Sequence, residues 1–229
     1  MVFVEPSDPR LRVSRPYRQP RALIVGVDVG QKHDPTAVVV AEALLEGSGR
    51  TALWDFTIRH MERLPLNTSY PDVSTRILQV VERVAAYPPP ANTQTASPVH
   101  VVVDSTGVGA PVVDILRREI HDTHAALTEA TFTHGDRLVG VFGDGKMSVG
   151  KAFLVSRLQA LFQTQRIHLP KNHAEAEAMT TELMDYEIRI SEDANDKYGA
   201  FQVGTHDDLV TALGLAILCD PVRNYTRYR

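Results

Sequence analysis

The sequence predicts one α/β domain built on a mixed β-sheet, and three observations lead to this prediction. Three strand-like segments follow one another closely within residues 22–59, which indicates an antiparallel meander. The next apolar segment, residues 99–104, has no polar alternation and should form a central parallel strand buried on both faces. Helical segments flank the later strands, as the parallel part of such a sheet requires.

The first three strands are predicted from apolar segments joined by short connections. They span residues 22–28, 36–43 and 51–59. In the third segment the apolar residues alternate with polar ones, and the apolar set is Trp54, Phe56 and Ile58. Alternation with a period of two is typical of a strand that has one face in the core.

The rest of the domain alternates helices with strands. Residues 73–86 form an amphipathic helix, and the prolines in the loop that follows forbid further helix. After the strand 99–104 we expect a turn at 105–109, a helix at 111–120, a strand at 130–133, a helix at 149–163, a strand at 166–169, a helix at 174–186, a hairpin within 187–203 and a last helix that opens at Asp207. The core order is then βββαβαβα.

Composition limits the class of protein. The chain has 229 residues, 43% of them hydrophobic, which is enough for one sizeable core. Its one cysteine, Cys219, lies in an apolar helical segment, which argues against disulfides, zinc and thiol catalysis. The sequence shows neither a membrane-spanning run nor a secretory signal, so we expect a soluble intracellular protein. The net charge of −4 does not indicate a nucleic-acid binder, but it does not exclude one, because bound cations reverse the field of a carboxylate cluster.

The domain organisation is predicted from the ends of the chain. Residues 1–21 are rich in proline and arginine and have few periodic apolar positions, as in an N-terminal arm or linker. Residues 22–220 then form the folded domain, and residues 221–229 form a C-terminal tail that contains three arginines.

Aspartates stand at the ends of the most apolar elements. Asp28 and Asp104 each close a strand, and Asp207 and Asp208 open the last helix. The carboxyl ends of neighbouring parallel strands lie at one edge of a sheet, so these acids can converge there. Oxygen ligands favour Mg²⁺ or Mn²⁺ over zinc. Two such ions, bridged by Asp28, would activate a water and stabilise a leaving oxygen in phosphoryl chemistry.

Each acid also has a purely structural interpretation. Thr205 and Asp208 have the spacing of a capping box, and acids in the first turn of a helix interact favourably with its dipole. Asp28 and Asp104 are also typical residues of turns that follow strands. Taken together, the positions of all the acids favour metal binding.

Three segments resemble the nuclease domain of the large terminase subunit of tailed bacteriophages. They are Val25–Ala37, Val103–Gly109 and Thr205–Ala216, and the strongest is the run from His206 to Val210. The intervening Val149–Lys151, Arg166–Pro170 and Glu182–Leu183 come in the order expected of that family. The resemblance covers residues 22–219.

The resemblance implies an RNase H-like fold and a two-metal endonuclease that cuts concatemeric double-stranded DNA at the start and end of genome packaging. It implies that Asp28 is shared by both metal ions, that Asp104 is the second ligand and Asp208 the third, with Asp207 adjacent. It also implies an extra acid near the metals at Asp34, in the loop after the first strand.

The resemblance further implies partners and a location. The implied partners are double-stranded DNA, a terminase ATPase domain, a small terminase subunit and a portal protein, and a membrane is not among them. The implied location is the cytoplasm of the infected bacterial host. No ATPase motor fits in the first 21 residues, so we expect either an excised nuclease domain or a free-standing relative. The near match to a phosphate-binding loop, Gly140–Met147, has Met147 where Ser or Thr is required.

Three rival functions stay open at the level of sequence. An actin-like or sugar-kinase-like ATP-binding domain would also use turns such as Val27–Gly30 and Asp104–Gly109, although that fold generally needs two such domains. A non-catalytic domain with the nuclease fold would hold DNA or portal protein. A junction resolvase would prefer branched DNA.

Overall fold

The computed structural model describes residues 19–47, 52–94, 99–140, 145–190, 196–199 and 207–218. The predicted tail, most of the predicted arm, and Thr205 and His206 lie outside these residues. The predicted domain boundaries therefore stay predictions. In the described part of the chain, no helix is long and apolar enough to cross a membrane.

Eight of the described strands form one mixed sheet. In chain order they are β1 Arg21–Asp28, β2 Ala37–Glu46, β3 Leu53–Arg63, β4 His100–Asp104, β5 Ala126–Thr133, β6 Leu138–Gly140, β7 Lys146–Gly150 and β8 Ile167–His168. Their order across the sheet is β6-β7-β5-β4-β1-β2-β3-β8. The meander β1–β2–β3 is antiparallel, whereas β4 pairs in parallel with both β1 and β5. The predicted mixed sheet is thus confirmed.

Helices cover both faces of this sheet. The five described α-helices are α1 Tyr70–Ala85, α2 Ala110–Glu119, α3 Lys151–Gln163, α4 Ala176–Asp185 and α5 Asp208–Ala216. Because side chains alternate along β1, Leu23 and Val25 pack with α1 and α2, while Ala22 and Ile24 pack with α3, α4 and α5. A separate hairpin of β9 Glu187–Ile190 and β10 Asp196–Gly199 agrees with the predicted hairpin.

Several predicted boundaries are wrong. Strands β2 and β3 continue to Glu46 and Arg63 rather than ending at residues 43 and 59, and β5 begins at Ala126 rather than at residue 130. Helix α1 begins at Tyr70 rather than at residue 73, because Ser69 caps it by accepting the N–H of Asp72 at 3.3 Å and Pro71 is tolerated in a first turn. Helix α3 begins at Lys151 rather than at residue 149, because Val149 and Gly150 belong to β7. The pairing of β6 with β7 was not predicted, since the glycines around these short strands indicate a loop.

Helix α5 lies unusually close to the centre of the sheet. A Cβ atom at Gly26 of β1 would lie 2.2 Å from the carbonyl oxygen of Ala212 and 2.5 Å from the backbone nitrogen of Ala216. Only glycine permits this approach. Asp208 lies one turn before Ala212, so the contact brings the start of α5 to the edge of the sheet where β1 ends.

Candidate metal centre

The predicted acids lie at one edge of the sheet. Strands β1 and β4 are neighbours in parallel register, with Val27 opposite Val103, so Asp28 and Asp104 end adjacent strands side by side. Asp208 opens α5 and is only 4% exposed. A cavity of about 320 Å³ is lined by residues of the loop after β1 and of α5, among them Asp28, Asp34, Asp207 and Asp208.

These carboxylates repel one another. Burial raises the pKa of Asp28 well above its ordinary value, and the negative charges of Asp104, Asp208 and Asp207 raise it further. Burial also raises the pKa of Asp104. The ammonium of Lys151 acts in the opposite direction on both groups. The edge of the sheet therefore concentrates negative charge that a bound cation would relieve.

Asp104 is held by the turn that follows it. Its Oδ1 accepts the N–H of Thr106 at 2.8 Å, and the Thr106 hydroxyl oxygen accepts the N–H of Phe132 at 2.9 Å. A Cβ atom at Gly109 would lie 1.8 Å from the Asp104 carbonyl oxygen, so the tight turn requires glycine there. The predicted turn at 105–109 thus fixes the carboxylate on the edge of the sheet.

The loop after Asp28 is held by the segment before α1 and by the first residue of that helix. The N–H of Asn67 donates to the carbonyl oxygen of Gln31 at 2.7 Å, and the Tyr70 hydroxyl donates to the Gln31 side-chain oxygen at 3.1 Å. Asp34 is exposed in this loop and lines the same cavity as Asp28. It therefore lies at the rim, and the more buried acids lie deeper.

Two residues of the site were not assigned a role from sequence. Lys151 opens α3, and its ammonium lies 5.8 Å from the centre of the Phe132 ring. Glu182 of α4 accepts hydrogen bonds from the first turn of α5. The sequence signal for Lys151 is its position where a strand passes into a helix. The signal for Glu182 depends on how α4 packs against α5, which periodicity does not show.

The capping interpretation of the paired acids can be compared with the geometry. Asp207 is the N-cap residue of α5, but its side chain makes no cap hydrogen bond to the helix. Asp208 lies inside the first turn and is buried, where a surface acid that serves only the helix dipole would remain exposed. Asp208 also raises the pKa of Asp28 more than Asp207 does, so it is the acid more strongly coupled to the strand ends.

The donor set fits a hard divalent cation. All four converging side chains are carboxylates, which are ligands that Mg²⁺ and Mn²⁺ prefer. Across the described ranges, no group of three or more His, Cys, Asp or Glu side chains could hold a metal ion in its present arrangement. The fit therefore rests on the kind of donor and on their mutual repulsion.

Several solved structures that resemble this chain are viral terminase nucleases. The large terminase nuclease from the thermophilic phage G20c matches with a TM-score of 0.53 and 19% identity, over 91% of this chain and 83% of that one. The same nuclease with bound magnesium matches over 86% and 80%, also with a TM-score of 0.53 and 19% identity. The human cytomegalovirus terminase nuclease domain, soaked with manganese, has a TM-score of 0.52 and 15% identity, over 91% and 87%. No protein-family model and no curated protein matches the sequence.

Proposed function

We propose that this chain is a metal-dependent endonuclease, which cuts double-stranded DNA during viral genome packaging. The proposal starts from the chain's RNase H-like fold, which is that of terminase nucleases. One observation carries the proposal. Asp28 and Asp104 end adjacent strands at the carboxyl edge of the sheet, where burial first and then the charges of Asp104 and Asp208 raise the pKa of Asp28. Packing alone gives no reason to gather like charges there.

The acids would hold two ions of Mg²⁺ or Mn²⁺. Asp28 lies beside Asp104 and is also coupled to Asp208, which supports the proposal that it would serve both ions. Asp104 and Asp208 would each complete one site, with Asp207 adjacent and Asp34 at the rim of the cavity. Bound ions of this kind supply a nucleophilic water near neutral pH and stabilise charge on phosphate oxygens.

The protein's own groups would position the DNA strand. Lys151 acts on both Asp28 and Asp104 and can attract a phosphate oxygen toward them as a compact positive charge. Lys32 and His33 are exposed in the loop that lines the cavity, where they can contact neighbouring phosphates. The tight turn at Gly109 and the Thr106 hydrogen bond keep Asp104 in place while the strand is bound.

The packaging context extends the proposal to partners. Double-stranded DNA would be the substrate, and a terminase ATPase domain, a small terminase subunit and a portal protein would bring the DNA to this domain in the cytoplasm of the infected bacterial host. The sequence motifs come in the same order as those of the large terminase subunit of tailed bacteriophages, and this order supports the assignment.

The direct test is to incubate the purified chain with long linear double-stranded DNA in Mg²⁺, Mn²⁺ or EDTA. We expect cutting in either metal and none in EDTA. A thermal shift with ATP is measured on the same preparation. Stabilisation by ATP without any cutting would contradict the proposal and favour the kinase-like alternative, whereas inertness in both assays would favour the non-catalytic docking domain.

A further inference from the structure

The first turn of α5 is capped from a different helix. A helix start leaves several backbone N–H groups without partners inside the helix. Here Oε2 of Glu182, on α4, accepts the N–H of Leu209 at 2.8 Å and the N–H of Val210 at 3.2 Å. These two residues follow Asp208 directly, so the hydrogen bonds to Glu182 hold in place the helical turn that carries this acid.

A buried glutamate is an energetically unfavourable helix cap. The side chain of Glu182 is 6% exposed, and the nearby charge of Asp208 repels it. A serine, threonine or asparagine at the N-cap position would satisfy the same kind of N–H group without burying a second negative charge. Capping alone therefore does not explain why a carboxylate occupies this position.

An arginine connects Glu182 to the meander. The guanidinium of Arg63, at the end of β3, lies 3.6 Å from Oε1 of Glu182 and 2.8 Å from Oε2 of Glu175. Both glutamates thus contact the same arginine, but it is Glu182 that accepts the N–H groups of Leu209 and Val210. Glu175 therefore provides a natural control for any effect that passes through Arg63 alone.

We propose that Glu182 is a positioning residue that, through the backbone N–H groups of Leu209 and Val210, fixes the direction of the Asp208 carboxylate toward Asp28 and the metal. This role rests on the proposed nuclease function. Outer-shell partners of metal ligands are typically worth 10–100-fold in affinity or activity.

The test compares Glu182→Ala, Glu182→Gln and Glu175→Gln with the wild type. Mn²⁺ affinity is measured by titration calorimetry without DNA, and kcat and KM are measured on double-stranded DNA. We expect Glu182→Ala to weaken Mn²⁺ binding by about 10-fold or more and to lower kcat with little change in KM. Glu182→Gln keeps an acceptor oxygen and should lose less, and Glu175→Gln should resemble the wild type.

A double-mutant cycle separates positioning from general loosening of the fold. Because Glu182 acts through Asp208, Glu182→Ala should cause little further loss of Mn²⁺ affinity in an Asp208→Asn background. Full additivity, or an equal loss in Glu175→Gln, would overturn the role. Wild-type Mn²⁺ affinity in Glu182→Ala would also overturn it; if the alanine variant does not fold, Glu182→Leu, which removes the acceptor oxygen but keeps the bulk of the side chain, takes its place. A wild-type chain that neither binds Mn²⁺ nor cuts DNA would instead overturn the proposed function, and this role with it.

Discussion

At the scale of single residues, the charge of Asp28 opposes folding when no metal is bound. Its pKa is raised in the folded protein by burial and by neighbouring carboxylates, so its ionised form destabilises the fold, increasingly as the pH rises through the folded pKa. We predict that Asp28→Asn raises the midpoint of thermal unfolding in EDTA near neutral pH. Each kcal/mol of relieved repulsion should raise it by about 2–4 °C in a protein of this size.

The exposed Asp114 provides the matched control for this measurement. Asp114→Asn removes an equal charge from the surface and should leave the midpoint nearly unchanged. With saturating Mn²⁺ the wild type should have the higher unfolding midpoint. Metal binding stabilises the wild type, and Asp28→Asn loses that stabilisation. A lower midpoint for Asp28→Asn in EDTA would show that the carboxylates do not repel one another as proposed.

His100 makes the stability of the protein depend on pH. Burial at the start of β4 lowers its pKa to about 4, from an ordinary value of 6.5. The unfolded chain therefore binds a proton on this residue that the folded protein does not, and the stability that depends on neutral His100 is lost as the pH falls from 6.5 toward 4. Its contribution to the loss at about pH 5 is at most about 2 kcal/mol.

Urea unfolding of His100→Gln at about pH 7.5 and about pH 5 tests this prediction. The loss of unfolding free energy on acidification should be smaller in the variant than in the wild type. The comparison is needed because the raised pKa of Asp28 has the opposite effect on stability. His134→Gln changes an exposed histidine and should behave as the wild type. Equal pH dependence in His100→Gln and the wild type would contradict the prediction.

At the scale of elements, the contact between α5 and β1 is the least tolerant of change. A Cβ atom at Gly26 would collide with backbone atoms of Ala212 and Ala216, whereas one at Gly214 would meet the side chain of Leu154. Gly26→Ala should therefore cost about 3 kcal/mol or more of unfolding free energy. Gly214→Ala should cost less, because Leu154 can rotate and alanine favours a helix over glycine by about 1 kcal/mol.

Chemical unfolding of both variants decides this prediction. The order of the two losses is the result to compare, since both alanines enter the same interface between α5 and its neighbours. Equal losses, or a greater loss in Gly214→Ala, would show that α5 does not lie as close to β1 as described. Metal binding should be impaired mainly in Gly26→Ala, because this contact sets where Asp208 begins the helix.

The meander and the central strand could be predicted because their signals are local. The run before Asp104 is apolar without alternation, as a strand buried on both faces requires, and the alternation around Phe56 is that of a half-buried strand. Strands β6 and β7 could not be predicted, because they are short and flanked by Gly140 and Gly145. Strand β7 also pairs in parallel with β5, and a parallel pairing is not indicated by a tight turn in the sequence.

The site could be predicted only as far as its charged residues open or close elements. Asp28, Asp104 and Asp208 meet this condition, and the strand order then places them together. Lys151 also opens a helix, but its approach to the acids depends on how α3 packs, and that of Glu182 depends on how α4 packs, so their contacts could not be predicted. The metal roles of the acids stay predictions.

At the scale of the whole molecule, the fold separates two tasks. The buried strands and α5 form the packed core, and the turns at the carboxyl edge of the sheet carry the polar groups that would bind metal and DNA. The net charge of −4 is consistent with this division, since the excess of carboxylates includes the cluster that cations would neutralise. DNA binding should therefore depend on metal more than on a basic surface.

Cutting of supercoiled plasmid by the wild type, Asp104→Asn and the control Asp114→Asn tests the central claim most directly. In Mg²⁺ or Mn²⁺ the wild type and Asp114→Asn should nick and linearise the plasmid, and EDTA should abolish the reaction. Asp104→Asn should remain folded by circular dichroism and lose activity by more than about 100-fold, since even outer-shell partners can be worth 10–100-fold. Cutting by Asp104→Asn at the wild-type rate would contradict the proposed metal centre, and no cutting by the wild type in either metal would contradict the nuclease itself.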